Sequence, residues 1–229
     1  MENTLAEIAD ALEHGRCKRV KDLVRMALRE GYDAGRILES GILKGMDNVA
    51  RRFQVEMVAI PEILAITRAM NGGVEALAEA GGKGRGEQNG TVLIGTMRRD
   101  VHDMGKNLIR ILLENKGLRV IDLGVEVPTR KFVDAAVQEK ADVVICSGFM
   151  KDSVIDMMRM IEAFEERGIR QDVYIMVGGA ALNESLAKQI GADCYTLDAV
   201  SCGEKAYAYC KKKQRKKEKY TKSMKNTLS

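Results

Sequence analysis

The chain has 229 residues, 45% of them hydrophobic, enough to bury a full core and to build one large or two small domains. Its formal net charge of +4 is concentrated in Lys211-Lys-Lys-Gln-Arg-Lys-Lys-Glu-Lys219, so the basic balance belongs to one stretch and does not argue for nucleic acid. No segment is long and apolar enough to cross a membrane, Met1-Glu-Asn-Thr4 lacks the parts of a signal peptide, and Cys17, Cys146, Cys194, Cys202 and Cys210 form no Cys-x-x-Cys pair. A reduced, cytoplasmic protein without a membrane partner is expected.

The first eighty residues show helical periodicity and no strand pattern. Thr4-Leu-Ala-Glu7 reads as a capping box opening a first helix, with Leu5, Ile8 and Leu12 on one face. Val20, Leu23, Val24, Ala27 and Leu28 mark a second helix ending near Gly31. Ile37, Leu38, Ile42, Met46, Val49 and Phe53 mark a long third, and a fourth starts around Pro61, since proline is tolerated in a first turn. Four helices joined by short turns predict an up-and-down four-helix bundle over residues 1–80.

Composition then breaks. Five of the ten residues 81–90 are glycine and none is a large apolar, which predicts a flexible linker. After it, strand-like runs alternate with helical patterns: Thr91 to Gly95, Arg119 to Leu123, Asp142 to Cys146, Tyr174 to Val177, and Cys194 to Thr196. Five strand-helix units with right-handed crossovers predict a parallel five-stranded, flavodoxin-like (Rossmann-like) domain over residues 91–210. The fold class is therefore α + α/β. The last helix starts near Val200, and beyond Lys211 no apolar face remains, so residues 211–229 are expected to be frayed helix or disordered.

The chemistry is concentrated in Thr96-Met-Arg-Arg-Asp-Val-His-Asp-Met-Gly105, on the loop leaving the first strand. Ligands bind in the crevice beyond the carboxyl ends of such strands, so His102 stands at a ligand address with Asp100 two residues away. A neutral imidazole can bind a metal through one nitrogen while a carboxylate holds the other N–H. Alternatively, His102 is a surface residue capping a helix.

Further motifs bear on that choice. The third strand ends in Ser147-Gly-Phe149, with Ser153 six residues after Ser147, and the fourth ends in Gly178-Gly179. Together with Asp100-x-His102-x-x-Gly105, they resemble the cobalamin-binding domain of methionine synthase and of the corrinoid proteins of methyltransferase systems. Gly45-Met-Asp-Asn-Val-Ala-Arg-Arg-Phe53, Ile60-Pro-Glu-Ile-Leu64 and Met70 resemble that family's helical cap.

The resemblance implies a cobalamin bound with its benzimidazole displaced, the base-off/His-on state, with His102 as the lower axial cobalt ligand and Asp100 and Ser153 completing a ligand relay. It implies cofactor contacts from Asp100, Val101, His102, Asp103, Met104, Gly105, Ser147, Phe149, Ser153, Gly178 and Gly179. Phe53 and Ile60 of the cap would lie over the reactive face. Ser147 would bond the buried benzimidazole, while Gly105, Gly178 and Gly179 would leave room for the tail. Two departures stand out. Arg98 and Arg99 occupy positions where the family shows an acidic or polar residue and a glycine, and Lys151 replaces a hydroxyl residue.

The expected function is that of a corrinoid methyl carrier, not an enzyme with an active site of its own. It would shuttle a methyl group as methyl-Co(III) from a substrate-specific methyltransferase to a second one acting on a thiol or folate, with a reductive activase as a further partner. No barrel for substrate activation is present in the pattern. The alternative is a cobalamin-dependent sensor, which needs an output module that only the Lys-rich tail could provide. A mutase subunit would lack the cap. A phospho-acceptor domain would require Asp100, Asp103 and Asp122 to converge.

Overall fold

The computed structural model describes residues 3–53, 59–81 and 90–227. They fall into two compact units, divided after Lys83. Most of the expected linker lies outside the described residues.

The first unit is helical: α1 (Asn3–Glu13), α2 (Cys17–Arg29), α3 (Ala34–Ile37), a π-helical segment (Leu38–Leu43), α4 (Lys44–Phe53) and α5 (Ile60–Gly81). Ile8, Leu12, Val20, Leu23, Val24, Ile37, Leu38, Ile42, Ile66 and Leu77 are all buried, so the apolar stripes seen in the sequence meet in one core. The long third helix of the sequence reading is two α-helical pieces joined by the wider π turn. The capping box needs correction. Thr4 lies inside α1, and its hydroxyl donates to Glu30 Oε2 at 3.1 Å, so the side chain bridges two helices and does not cap one. Lys21 to Glu75 at 2.6 Å and Arg25 to Glu79 at 2.9 Å link α2 to α5 at the surface, where such pairs add little.

The second unit is built on a parallel sheet of β1 (Thr91–Thr96), β2 (Arg119–Asp122), β3 (Val143–Ser147), β4 (Tyr174–Gly178) and β5 (Cys194–Thr196), in the order β2-β1-β3-β4-β5. The helices α6 (Met104–Asn115), α7 (Thr129–Glu139), α8 (Lys151–Glu166), α9 (Glu184–Gln189) and α10 (Ala199–Thr227) complete it. Strand residues alternate between two apolar layers, as the pleat requires. Val92, Ile94, Val143, Ile145 and Met176 join Ile109, Leu113, Cys202 and Ala206 of α6 and α10. Leu93, Val144, Cys146, Ile175 and Val177 join Phe132, Met157 and Phe164 of α7 and α8. This is the flavodoxin-like order, and its strand order reverses between β1 and β3.

Beyond Lys211 the backbone takes the helical one of the two expected alternatives. Helix α10 runs on to Thr227. Lysine and arginine are good helix formers, and cations suit a helix C-terminus. Among the described residues no helix is long and apolar enough to cross a membrane.

Candidate functional site

The loop between β1 and α6 carries the site, and it lies at the reversal point of the sheet. Asp100 is 1% exposed although it sits on a loop, because the β3–α8 turn closes over it. Its Oδ1 accepts the backbone N–H of His102 at 3.0 Å and faces the ring Nδ1 at 2.7 Å. Its Oδ2 accepts the Phe149 N–H, the Met150 N–H at 3.3 Å and the Ser153 hydroxyl at 3.3 Å. Burial alone would raise this carboxyl. The N–H groups of His102 and Phe149, the His102 ring and the Met150 N–H outweigh it and hold Asp100 below the ordinary value of 3.8.

An ionised carboxylate is an acceptor only, so Nδ1 of His102 is the donor in this pair, and in the neutral tautomer that this selects the lone pair is on Nε2. The ring is half exposed and stacks on Phe149, with centroids 4.2 Å apart and planes 25° from parallel. One face and the Nδ1 edge are thereby fixed. The loop backbone is held as well, since Thr96 Oγ1 donates to the His102 carbonyl at 3.1 Å.

Beside the ring lies an apolar rim. Val101 is 64% exposed, Met104 54%, Phe149 53%, Met150 48% and Leu197 83%. That much bare hydrocarbon at one sheet edge marks a binding surface. Next to it, a slot of about 110 Å³ runs between the strand ends, lined by Gly105, Ile109, Ile145, Cys146, Ser147, Gly178, Gly179, Thr196, Leu197, Asp198, Ala199 and Cys202.

Glycines at this edge have different reasons. Gly105 has no left-handed backbone, and a Cβ there would meet nothing within 4 Å, so neither conformation nor packing within the chain requires it. Gly179 has φ +116°, and a Cβ would come 2.1 Å from the Gly148 carbonyl oxygen. The chain itself demands that glycine.

The structure brings Asp100, His102, Phe149 and Ser153 into one cluster, and Gly105, Ser147, Gly178 and Gly179 into the adjoining slot. Asp103 turns away to Asn107, whose side chain donates to it at 3.0 Å. Asp122 is engaged by Lys106 and does not join Asp100, so the three aspartates do not form a phospho-acceptor pocket. Phe53 and Ile60 belong to the first unit. Ile60 is 73% exposed, and the Arg52 guanidinium lies 6.0 Å from the centre of the Phe53 ring.

Sequence reasoning missed the contribution of β5 and its exit, Thr196 to Ala199. The available signal was Asp198-x-x-Ser201, an N-cap in which Asp198 Oδ1 accepts the Ser201 N–H at 2.8 Å.

Among the described residues no group of three or more His, Cys, Asp or Glu could hold a metal ion. One imidazole with a free Nε2, flanked by exposed hydrocarbon and a slot, fits a metal that brings its own ring of ligands. These features suit a protein that receives a large, ring-bearing ligand at the carboxyl edge of a flavodoxin-like sheet.

Comparison with known proteins names that class. Residues 90–208 match the model of the B12 binding domain, and residues 4–78 match a second B12 binding domain model. The trimethylamine corrinoid protein 1 of Methanosarcina acetivorans is 32% identical over 209 residues, 90% of this chain and 97% of that protein. The dimethylamine corrinoid protein of Methanosarcina barkeri is 34% identical over 206 residues, 90% and 96% of the two chains. The structure of the Methanosarcina barkeri monomethylamine corrinoid protein superposes with a TM-score of 0.71 at 25% identity, covering 90% of this chain and 98% of that one. The methanol:cobalamin methyltransferase complex of the same organism gives a TM-score of 0.52 at 26% identity, covering 91% and 80%. The chain belongs to the B12-binding corrinoid protein family, and its cofactor is a corrinoid.

Proposed function

We propose that this protein is a methyl carrier, binding its corrinoid in the base-off state with His102 as lower axial ligand and passing a methyl group between two methyltransferases. The observation that carries the ligand assignment is the Asp100–His102 pair, which engages Nδ1 of a ring stacked on Phe149 and leaves Nε2 as the nitrogen for a metal. The carrier role is supported by the relatives, which are corrinoid proteins of methylamine systems. When bound, the corrinoid supplies the cobalt nucleophile that accepts and releases the methyl group.

The chain's own residues provide ligation and orientation. Asp100 holds the Nδ1 proton, and Ser153 donates to the far oxygen of the same carboxylate, so a change in imidazole basicity can be shared along the line His102, Asp100, Ser153. Val101, Met104, Phe149 and Leu197 would lie under the corrin. Gly105, Ser147, Gly178 and Gly179 would receive the nucleotide tail, with Ser147 bonding its base. Phe53 and Ile60 would cover the opposite face. Partners would be a substrate-specific methyltransferase, an acceptor methyltransferase and a reductive activase, all meeting the protein in the cytoplasm.

The test is to mix apoprotein with hydroxocobalamin and record the visible spectrum for the parent and for His102→Ala. A stoichiometric, histidine-ligated, displaced-base spectrum that disappears in His102→Ala is expected. An unchanged spectrum in the variant would remove His102 as the ligand.

A further inference from the structure

Lys106, in the first turn of α6, is 3% exposed, an unusual place for an ammonium group. Its Nζ donates to Asp122 Oδ2 at 2.6 Å and to Asn107 Oδ1 at 2.8 Å. Each partner leads back to the His102 loop by a separate route. On one side, the Asn107 side chain donates to Asp103 Oδ2 at 3.0 Å, and the Asn107 N–H donates to the Asp103 carbonyl at 2.8 Å, which grips the residue directly after His102. On the other, Asp122 Oδ1 accepts the Gly124 N–H at 2.9 Å, and the Gly124 carbonyl accepts the Thr96 N–H at 3.0 Å. Thr96 then donates through its hydroxyl to the His102 carbonyl. The same β2 exit supplies the Glu126 N–H to the Asp100 carbonyl at 3.1 Å.

Fold stability alone does not ask for a lysine here. Burying an ammonium costs solvation that an apolar side chain of similar length would not, and buried ion pairs are often replaceable without loss of stability. Asp122 has a second cation within reach, Arg110 Nε at 3.6 Å, so the carboxylate would not be stranded without Lys106. What Lys106 contributes is a fixed point shared by both flanks of the loop, at its entry through Asp122 and at its exit through Asn107.

We infer that Lys106 is a positioning residue for His102: its bonds to Asp122 and Asn107 clamp the β1–α6 loop from both sides and set where Nε2 stands. The inference rests on the reading of His102 as the cobalt ligand. Ligand-orienting partners of this kind are typically worth about 10- to 100-fold in metal affinity.

The experiment compares the parent with Lys106→Met, the milder Asp122→Asn, the double variant, and Val133→Ala. Val133 is 6% exposed and packs in the other apolar layer, so this last variant loses stability without touching the clamp. Two readouts are needed: the histidine-ligated fraction and affinity with hydroxocobalamin, and amide hydrogen exchange in the cobalamin-free proteins. Lys106→Met is expected to weaken hydroxocobalamin about tenfold with a smaller histidine-ligated fraction. Exchange at Thr96, His102 and Glu126 should rise at least about tenfold, and the double variant should be no worse than Lys106→Met, because the two side chains act as one unit. Val133→Ala should leave both readouts at parental values. Parental ligation and exchange in Lys106→Met, with only a melting loss like that of Val133→Ala, would overturn the inference. A parent that takes up no cobalamin would instead overturn the ligand reading, and the exchange measurement would still decide whether Lys106 clamps the loop.

Discussion

Asp100 and His102 are joined twice through one oxygen: Oδ1 accepts the His102 backbone N–H at 3.0 Å and faces the ring Nδ1 at 2.7 Å. The two-residue spacing makes this possible, because a side chain that bonds the N–H two residues on closes a tight local turn and brings the next side chain alongside. The other oxygen holds the β3–α8 turn. Asp100→Ala would leave the Phe149 and Met150 N–H groups and the Ser153 hydroxyl without that acceptor, and is expected to cost about 3 kcal/mol in urea unfolding of the apoprotein. A loss below about 1 kcal/mol would mean that water substitutes for the carboxylate.

Gly105 and Gly179 line the same slot and are expected to answer substitution in opposite ways. Gly179→Ala puts a methyl group into the Gly148 carbonyl at a backbone angle that side chains avoid, and should destabilise the protein by about 3 kcal/mol or more. Gly105→Ala meets open space on a helix, so the apoprotein should gain about 0.5–1 kcal/mol. If the slot receives the cofactor tail, the same change should weaken hydroxocobalamin roughly tenfold, the cost of overpacking by one methyl. Melting curves and spectral titrations of both variants check this, and undiminished uptake by Gly105→Ala would place the tail elsewhere.

Arg99 has φ +62°, a left-handed conformation that glycine adopts without strain. Its Nη1 lies 3.8 Å from Asp152 Oδ2, with both side chains more than half exposed, so the ion pair offsets little of the strain. Arg99→Gly should stabilise the apoprotein by about 1 kcal/mol, seen as a higher melting temperature. An unchanged or lower value would show that the arginine makes up its strain through contacts of its stem.

Stability should fall on the alkaline side. Burial pushes the Cys202 thiol up to about 12, against a smaller lowering by its bond to Thr196, and burial likewise puts Cys146 well above the ordinary 9.0. Above pH 9 the unfolded chain gives up these protons and the folded chain keeps them. The stabilisation is therefore complete below pH 9 and is lost as pH rises towards the folded values, at up to about 1.4 kcal/mol per unit for each thiol. Urea midpoints between pH 8 and 10.5 should drop steeply for the parent and less steeply for Cys202→Ala. Parallel curves would exclude the thiol as a contributor.

Much of this architecture was legible from periodicity. Apolar residues at helical spacing found the helices of the first unit, and short apolar runs found all five strands, because burial imposes the periods 3.6 and 2 whatever the neighbours are. Right-handed crossovers then predicted the doubly wound sheet. Local signals failed where a side chain had a distant alternative. Thr4 looks like a cap in a four-residue window, yet its hydroxyl reaches Glu30. The lysine-rich stretch has no apolar face of its own, and its backbone continues a helix already anchored by Ala206 and Cys210.

The sequence by itself determined the two-part organisation, the strand-helix order and the pairing of Asp100 with His102, because each depends on residues close in the chain. Only the tertiary structure decided which atoms complete the site. Phe149, Met150 and Ser153 reach Asp100 across a sequence separation of about fifty residues, β5 adds one wall of the slot, and Lys106 finds Asp122 at the end of the neighbouring strand. Such contacts follow from placing β3 beside β1 and β2 on its other edge, a global arrangement that no local window of residues encodes.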